Sequence, residues 1–335
     1  MSHVLVIGGG LSGCTVANEL ASGGVKVTIV ERTARIGGKV RSYGCKSTVK
    51  CNNCGLCLCG GLWEKVEKNP FIEIINNSKL TDVTGKAGDF SVILKTPDGA
   101  RYINGITSIV AATGFEESSA IGGHLQIEGK QGIVRGLELE EIFRGRSKDA
   151  LFENAPESVA FIQCVGSRDK KEGSMYCSRV CCSYSTRAAK VIREYYPECH
   201  ISFFYMELQP VSGGDYFLQL QDMEIEFVKC RPLKITAGEP VKVEFEDFES
   251  GGPATREFDV VVLSEGIHPP KDADLTAELC RLGQDKNGFL NDGGNGRNSG
   301  VFVSGCAKKP GKIEETYSDS LAVAKEILTL ERRQI

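Results

Sequence analysis

The chain has 335 residues, of which 41% are hydrophobic and 25% are charged, and its formal net charge at pH 7 is −4. This length and apolar fraction predict one or two globular domains. The small net charge disfavours nucleic acid as a partner, and no apolar run approaches the about 20 residues that a membrane-spanning helix needs. Because the N-terminus runs directly into a predicted strand, no signal peptide is expected, and we predict a cytoplasmic protein.

A glycine-rich loop between an apolar strand and a helix is the first motif. Residues 4–7 form the predicted strand, and the helix is predicted from about residue 14 to residue 22. The next strand, over residues 25–30, ends at Glu31. The loop glycines, in the spacing G-x-G-x-x-G, are Gly8, Gly10 and Gly13. This is the dinucleotide-binding fingerprint, in which the glycines let the backbone approach a pyrophosphate and the acid accepts hydrogen bonds from ribose hydroxyls.

Two further segments favour FAD as the dinucleotide. Gly37 and Gly38 follow the acid and resemble the glycine pair of flavoproteins that have two dinucleotide-binding domains. Residues 109–114, which end in Thr113 and Gly114, resemble the motif at which the chain of such proteins leaves the FAD domain. We therefore predict that these four residues contact FAD.

Residues 300–305 resemble the third flavoprotein motif, which lies near the flavin and its ribityl chain. In that motif an Asp usually follows the last glycine, but here Cys306 follows Gly305. The usual carboxylate is therefore missing from this position. We place Gly305 and Cys306 among the predicted cofactor-binding residues, and Cys306 would be either a weak hydrogen-bond donor to the cofactor or a small buried residue.

The chain has 14 cysteines, which is many for a protein of this size, and five of them stand close together: Cys45, Cys51, Cys54, Cys57 and Cys59. In a chain with cofactor motifs, clustered cysteines bind metal or do redox work more often than they form disulfides. Cys51, Cys54 and Cys57 have the short spacing of ferredoxin-type [4Fe–4S] clusters. The fourth ligand would be Cys45, Cys59 or a remote cysteine, and zinc or free thiols are the alternatives. We expect this group to lie near the FAD domain, on a surface where a partner docks.

A second cysteine group replaces a nucleotide-binding loop in the middle of the chain. Residues 157–163 form a predicted strand that would feed a second glycine-rich loop in a protein resembling thioredoxin reductase. Instead, the chain continues into a set of four cysteines at the end of this strand and in the first turn of the helix predicted from about residue 178: Cys164, Cys177, Cys181 and Cys182. We predict a [4Fe–4S] cluster here, since a helix N-terminus favours an anionic group. Two buried structural thiols or a zinc site are the alternatives.

The remaining elements define the predicted domains. Hairpins are predicted over residues 82–101 and 239–257, and the closing helix over residues 318–332. We predict an FAD-binding domain in two parts, residues 1–155 and 269–335, with a Cys-rich insertion at 44–61. Residues 156–268 would form an inserted NAD(P)-binding-like domain that carries a cluster.

With these motifs, the chain resembles the A subunit of heterodisulfide reductase and the related flavoprotein subunits of the quinone-interacting oxidoreductase of sulfate reducers. The resemblance covers nearly the whole chain, and the cysteine set is its most specific part. The residues that carry it are Gly8, Gly10, Gly13, Glu31, Gly37, Gly38, Cys164, Cys177, Cys181, Cys182 and residues 312–316.

The resemblance implies an α/β fold with two Rossmann-like domains of the FAD/NAD(P)-binding type, as in thioredoxin reductase, with three-layer ββα architecture. It implies an electron-transferring oxidoreductase subunit that passes electrons between FAD and [4Fe–4S] clusters. It also implies partners that resemble the B and C subunits of heterodisulfide reductase, ferredoxin, hydrogenase or formate dehydrogenase, and a dimer within a larger complex. Lys312 would lie near the flavin in members that perform electron bifurcation; a simple relay and a surface lysine are the alternatives.

Two other functions compete with this one. An NAD(P)H-dependent disulfide reductase of the thioredoxin-reductase type needs an intact second glycine loop and a Cys-x-x-Cys shortly before residue 157. Residues 130–156 contain no cysteine, which argues against it. A zinc-binding scaffold without redox function is the other alternative. Iron analysis distinguishes it from the electron-transferring subunit.

Overall fold

The computed structural model describes residues 2–117, 125–145, 147, 150–171, 174–209, 220, 223–248 and 250–333. The helices of this part of the chain are α1 (Leu11–Ser22), α2 (Leu62–Lys68), α3 (Gly136–Gly145), α4 (Cys181–Tyr195), α5 (Ala273–Cys280), α6 (Gly296–Ser299) and α7 (Ile313–Arg333). Short 3₁₀ helices cover Lys39–Ser42, Leu56–Cys59 and Gly305–Ala307. No helix among these residues is both long enough and apolar enough to cross a membrane.

The strands follow in chain order. The first are β1 (His3–Ile7), β2 (Lys26–Val30), β3 (Ile72–Ile75), β4 (Lys79–Lys86), β5 (Asp89–Thr96), β6 (Gly99–Ile106) and β7 (Ser108–Ala111). The next are β8 (Glu116–Glu117), β9 (Gln126–Glu128), β10 (Ile133–Arg135), β11 (Ser158–Val165), β12 (His200–Phe204), β13 (Glu226–Val228) and β14 (Lys234–Thr236). The last are β15 (Val241–Asp247), β16 (Gly252–Phe258), β17 (Val260–Glu265), β18 (Ile267–His268), β19 (Gly283–Gln284), β20 (Leu290–Asn291) and β21 (Val301–Val303).

The chain folds into two compact units, each assembled from segments that are distant in the sequence. The first unit comprises Met1–Arg41, Gly55–Glu116 and His268–Ile335. The second comprises Ser42–Cys54 and Glu117–Ile267.

The first unit is built on a five-stranded parallel sheet in the order β21-β7-β1-β2-β3. Strand β1 is central and buried along its whole length, as expected for a parallel strand covered on both faces. Apolar residues of α1 and α7 pack on the sheet in one core, which includes Val4, Leu20, Phe302 and Ile327. The antiparallel strands β4, β5 and β6 form a separate three-stranded sheet, which contains the hairpin predicted over residues 82–101.

The second unit repeats this plan. Its five-stranded parallel sheet has the order β10-β17-β11-β12-β13, and α4 joins β11 to β12 as a parallel crossover. A second sheet has the order β16-β15-β14-β9, and the pairing of β15 with β16 forms the predicted second hairpin. Within the predicted range 239–257 of that hairpin, Glu249 lies outside the described residues. The predicted α/β class, with two Rossmann-like sheets, is thus confirmed.

The element bounds differ from the prediction at a few ends. Helix α1 begins at Leu11 rather than near Cys14, because it starts directly at the loop glycines. Strand β11 runs to Val165, so that Cys164 belongs to the strand. Helix α7 begins at Ile313, five residues before the predicted start, and runs on as one helix to Arg333.

The division into units also differs from the predicted domain boundaries, which give residues 117–155 to the FAD-binding domain. In the structure β10 pairs with β17, and β9 pairs with β14, so that this segment belongs to the second unit. The segment Ser42–Cys54, which the sequence pattern assigns to the neighbourhood of the FAD domain, is also grouped with the second unit.

Candidate functional site

In the first unit, the predicted glycines bring three backbone segments into close contact at the start of α1. Gly10 is the N-cap of α1. A Cβ on Gly13 would lie 1.9 Å from the carbonyl oxygen of Gly8, and a Cβ on Gly8 would lie 2.4 Å from that of Ala112. Gly38 meets Gly10 from the other side, since a Cβ on Gly38 would lie 3.0 Å from the Cα of Gly10. These contacts leave no room for side chains and bring backbone amides to the helix N-terminus, as a pyrophosphate requires.

The Glu31 carboxylate is buried and organises this loop through hydrogen bonds of its own. Its Oε2 accepts the Gly9 N–H at 2.7 Å, and its Oε1 accepts the N–H and hydroxyl of Thr33, both at 2.8 Å. The Gly37 N–H donates to the Gly9 carbonyl at 2.6 Å and ties the predicted glycine pair to the same loop. A carboxylate has about four acceptor positions, so one remains for a ribose hydroxyl.

Thr113 and Gly114 lie directly after β7, at the carboxyl end of the parallel sheet. The Thr113 hydroxyl is buried and has no hydrogen-bond partner among the described residues. Gly114 has a φ of +77°, and a Cβ there would meet nothing within 4 Å. A buried polar atom without a partner beside open space fits a polar ligand such as a dinucleotide.

The third predicted motif is held by a group of buried hydroxyls. Ser12 donates to Ser304 at 2.7 Å and accepts from Ser320 at 2.8 Å. The Gly305 N–H donates to the Asp319 carboxylate at 2.8 Å. Gly305 has a φ of +68°, and a Cβ on it would lie 2.7 Å from that of Ser12, so that this loop is locked to the start of α1.

Cys306 is buried beneath this loop. Its sulfur lies 3.6 Å from the carbonyl oxygen of Gly311 and 3.6 Å from the hydroxyl of Thr316. Burial raises the pKa of the Cys306 thiol above its usual range, so that it is neutral at physiological pH. These contacts favour the small buried residue over the donor to a cofactor.

Lys312 directly precedes α7, and its backbone N–H donates to the Glu315 carboxylate at 3.1 Å. Its role beside a flavin stays a prediction.

In the second unit, the four cysteines of the middle group lie where strand β11 gives way to helix α4. Cys164 is near the end of β11 with a φ of +60°, where the pairing with β17 shifts register. Cys181 and Cys182 form the first turn of α4, and Cys177 lies in the preceding loop. Three of the four are buried and Cys177 is half-buried.

The thiols of this group influence one another electrostatically. Burial is the main cause that raises the pKa of Cys164, to about 11, and the neighbouring Cys182 and Cys177 raise it further. Burial and then the other three cysteines raise the pKa of Cys181 well above its usual range. Thiols in such a place become thiolates when a cation binds. Among the described residues, however, no three His, Cys, Asp or Glu side chains converge closely enough to hold a metal ion.

Two buried serines connect the loop after Cys164 to the loop that carries Cys177. The sequence patterns did not reveal this pair. The hydroxyls of Ser167 and Ser178 are 2.6 Å apart, and Ser178 also accepts the Ile267 N–H at 2.9 Å. A Cβ on Gly266 would lie 1.9 Å from the Ser167 hydroxyl oxygen. The absence of a side chain at Gly266 therefore lets β17 end against these loops.

The Cys-rich segment before residue 55 is held on α3 and α4. Arg187 of α4 donates to the carbonyl oxygens of Asn52 and Asn53, both at 2.8 Å. Lys46 is buried and forms an ion pair with Glu140 of α3. Cys45, Cys51 and Cys54 of this segment are exposed or half-exposed.

Cys57 and Cys59 lie in a 3₁₀ helix of the first unit. Cys57 is exposed, whereas Cys59 packs in the core of that unit with 6% exposure. The fourth ligand of the predicted N-terminal cluster stays open. The cluster itself stays a prediction.

Comparisons with known proteins agree with the fold and with the resemblance. Residues 6–61 match the family described as an NAD(P)-binding Rossmann-like domain. The A subunit of the ferredoxin/F420H2-dependent CoB-CoM heterodisulfide reductase of Methanosarcina acetivorans is 25% identical over 98% of this chain and 53% of its own length. The A subunit of the H2:CoB-CoM heterodisulfide,ferredoxin reductase of Methanothermobacter marburgensis is 25% identical over 96% of this chain and 62% of its own.

Among solved structures, thioredoxin reductase of Lactococcus lactis superposes with a TM-score of 0.66 and 17% identity, over 98% of this chain and 99% of that one. This likeness shows the fold. The predicted resemblance to the A subunits of heterodisulfide reductases, in a chain with a thioredoxin-reductase-like fold, is confirmed. The chain spans about half the length of the first of these relatives.

Proposed function

Because this chain is similar to the A subunits of heterodisulfide reductases along nearly its whole length, we propose that it transfers electrons within a larger complex and carries FAD and a [4Fe–4S] cluster. One observation carries the proposal. Four cysteines gather at the end of β11 and the start of α4, where the second Rossmann-like unit of a pyridine-nucleotide enzyme has its glycine loop: Cys164, Cys177, Cys181 and Cys182.

The first unit supports FAD as the bound flavin. Gly10 and Gly38 leave the backbone bare at the start of α1, and Glu31 has an acceptor position left for a ribose hydroxyl. The Thr113 hydroxyl would find in the cofactor the partner that it lacks among the described residues. When bound, FAD supplies transfer of one or two electrons. The chain's residues bind and orient it, and the carboxylate of Glu31 keeps the glycine loop in the binding shape.

The chemistry of the donor set supports the cluster. Four thiols are the usual ligands of a [4Fe–4S] cluster. The backbone amides of Cys182 and Gln209 contact the Cys182 sulfur and lower the pKa of that thiol, against the larger raising effect of burial. Backbone amides that stabilise a thiolate would also stabilise the negative charge of a cluster that four thiolates hold. Binding of iron would require these thiols to release their protons, and they would then hold the cluster as thiolates.

Further features of the proposal come from the sequence and from the relatives. We propose that the first unit (Met1–Arg41, Gly55–Glu116 and His268–Ile335) binds FAD and that the second unit carries the cluster. A second cluster, with Cys51, Cys54 and Cys57 among its ligands, would open a second electron path. Partners would be redox subunits like those of the relatives, whose names include ferredoxin and H2 as electron carriers or donors. Bifurcation, with Lys312 beside the flavin, and a simple relay are both open to test.

Anaerobic purification tests the proposal directly. We expect a brown protein with one FAD per chain, iron and acid-labile sulfide in about equal amounts, and a paramagnetic signal on reduction. Zinc in place of iron would favour the scaffold without redox function. Protein that holds neither iron nor zinc after reconstitution with iron and sulfide would overturn the assignment of the four cysteines to a metal site.

A further inference from the structure

The loop between Gly166 and Tyr176 carries an arginine whose charge is not fully matched. Arg168 has a φ of +54°, and the surrounding backbone is fixed, because its N–H donates to the Tyr176 carbonyl at 3.1 Å and Asp169 pairs with Ser174. The Nη1 atom of Arg168 is buried and has no hydrogen-bond partner among the described residues. A buried guanidinium nitrogen without a partner is costly, unless an acceptor that is absent here completes it.

The neighbouring charges leave the positive charge of Arg168 only partly compensated. Its Nη2 pairs with Glu207 at 3.2 Å, but the Glu207 side chain is 63% exposed and screens the charge poorly. Arg231, in contrast, is neutralised by the buried Asp169 at 2.8 Å, and its other Nη donates to the Arg168 carbonyl at 3.1 Å. Arg231 thus holds the Arg168 backbone in place, and Arg168 supplies the net positive charge.

The thiols that feel this charge are those of the proposed cluster site. Arg168 is among the groups that favour the thiolate of both Cys164 and Cys182. Since Arg168 follows Cys164, at the end of β11, within one short turn of chain, both belong to the same loop. An unpartnered N–H donor in this turn is chemically suited to the acceptor that a sulfur-rich anionic group would provide.

We propose that Arg168 is a positioning and tuning residue that directs its buried guanidinium N–H and its charge at the sulfur of the cluster. This inference rests on the proposed function. A one-electron reduction of the cluster adds negative charge, and a nearby cation with an N–H···S hydrogen bond stabilises the reduced form, so that the reduction potential rises. The electron comes from the reduced flavin or from a chemical reductant, and no proton or bond is exchanged at Arg168.

The test is a redox titration of the iron–sulfur signal in the anaerobic holoprotein, with dithionite as reductant. Arg168→Gln keeps most of the side-chain length and carries no charge. We expect the ratio of reduced to oxidised cluster in this variant to fall about tenfold at a fixed potential. For a one-electron couple, this corresponds to a reduction potential that is ~59 mV lower than in the wild type. Arg168→Lys keeps the positive charge but loses the paired N–H donors of the guanidinium group. Its reduction potential should lie between those of Arg168→Gln and the wild type. Lys171→Gln is the matched control, since it removes one positive charge from an exposed residue of the same loop, and its potential should equal that of the wild type.

A second variant tests the charge of Arg168 by removing its partner instead of the arginine itself, and it changes only an exposed side chain. Glu207→Gln removes the exposed partner of Arg168, and we expect a higher potential than in the wild type. Equal potentials in Arg168→Gln, Glu207→Gln and the wild type, at full iron content, would overturn the inference and leave the proposed function intact. If Arg168→Gln loses its iron, the inference is judged from the reduction potential of Glu207→Gln alone, and a potential equal to that of the wild type would overturn it. A wild-type protein without iron would overturn both.

Discussion

At the scale of single residues, Glu31 has a role that its place in the fingerprint did not reveal. The motif predicted a ligand for ribose, but the carboxylate already accepts three hydrogen bonds from Gly9 and Thr33. It therefore shapes the loop before any cofactor binds. A residue with both tasks should be more sensitive to truncation than a group that only contacts ribose.

We expect Glu31→Ala to weaken FAD binding about ten- to hundredfold, since buried N–H donors left without acceptors cost about 1–3 kcal/mol. Glu31→Gln keeps one acceptor oxygen and should fall between Glu31→Ala and the wild type. FAD affinity is measured by flavin fluorescence during titration of the apoprotein. Glu73→Gln, in the neighbouring strand β3, is the control and should bind FAD normally. Unchanged affinity in Glu31→Ala would contradict both roles of the carboxylate.

Gly266 gives a second prediction at this scale. A Cβ there would lie 1.9 Å from the Ser167 hydroxyl oxygen and 2.5 Å from that of Ser178. We expect Gly266→Ala to lower the free energy of unfolding by about 1–3 kcal/mol, as overpacking does, and to lower iron content with it. Ser167→Ala in the same chain should recover part of the loss, because it removes the closest atom. Denaturant titration measures both.

The control for this pair is Gly252→Ala, since a Cβ on Gly252 in the same unit would meet nothing within 4 Å. Its stability should stay within the error of the wild type. If Gly266→Ala proves as stable as Gly252→Ala, the serine pair does not hold these loops in the arrangement described.

At the scale of elements, the sequence pattern predicted those features that depend on interactions between neighbouring residues. The fingerprint, the hairpin turns and the first turn of α4 each depend on a few neighbouring residues, and each was predicted from the sequence. The partners of β9 and β10 were not, because the strands that bind them, β14 and β17, lie far downstream in the chain. The acid that holds the third motif was also missed, since Asp319 lies on α7 with no local signal that its carboxylate reaches the Gly305 N–H.

The start of α4 is the element on which the proposed cluster depends. We expect Cys181→Ser to lose about four iron atoms per chain and to keep FAD, because a serine hydroxyl is a poor replacement for a thiolate ligand. The matched control is Cys199→Ser, which changes a buried cysteine at the far end of the same crossover. Iron, sulfide and flavin are measured on the same sample. Full iron content in Cys181→Ser would remove Cys181 from the ligand set.

The buried ion pair between Lys46 and Glu140 anchors the Cys-rich segment to α3. Burial raises the pKa of Glu140, and the contact with Lys46 opposes that effect. We expect Lys46→Met to lower the free energy of unfolding by about 3–5 kcal/mol, because it leaves a buried carboxylate without a partner. Lys46→Met with Glu140→Met should be closer to the wild type, since neither charge is then stranded. A Lys46→Met protein as stable as the double variant would show that the pair is solvated.

At the scale of the whole molecule, the two units share one plan and differ at one point. Each has a five-stranded parallel sheet and a smaller second sheet, and in each a crossover helix follows a central strand. In the first unit that helix begins at bare glycines, whereas in the second it begins at Cys181 and Cys182. Function therefore follows from what occupies the first turn of the helix, and the fold alone does not determine it.

This difference predicts how the flavin is reduced. A pyridine nucleotide needs glycines through which backbone amides approach its pyrophosphate, and the second unit has buried thiols in that place. We expect neither NADH nor NADPH to bleach the flavin of the anaerobic holoprotein within minutes, whereas dithionite bleaches it fully in the same cuvette. Absorbance near the flavin maximum follows both reactions. Rapid bleaching by either nucleotide would mean that the second unit binds it despite its cysteines, and the disulfide-reductase alternative would then replace electron transfer through a cluster.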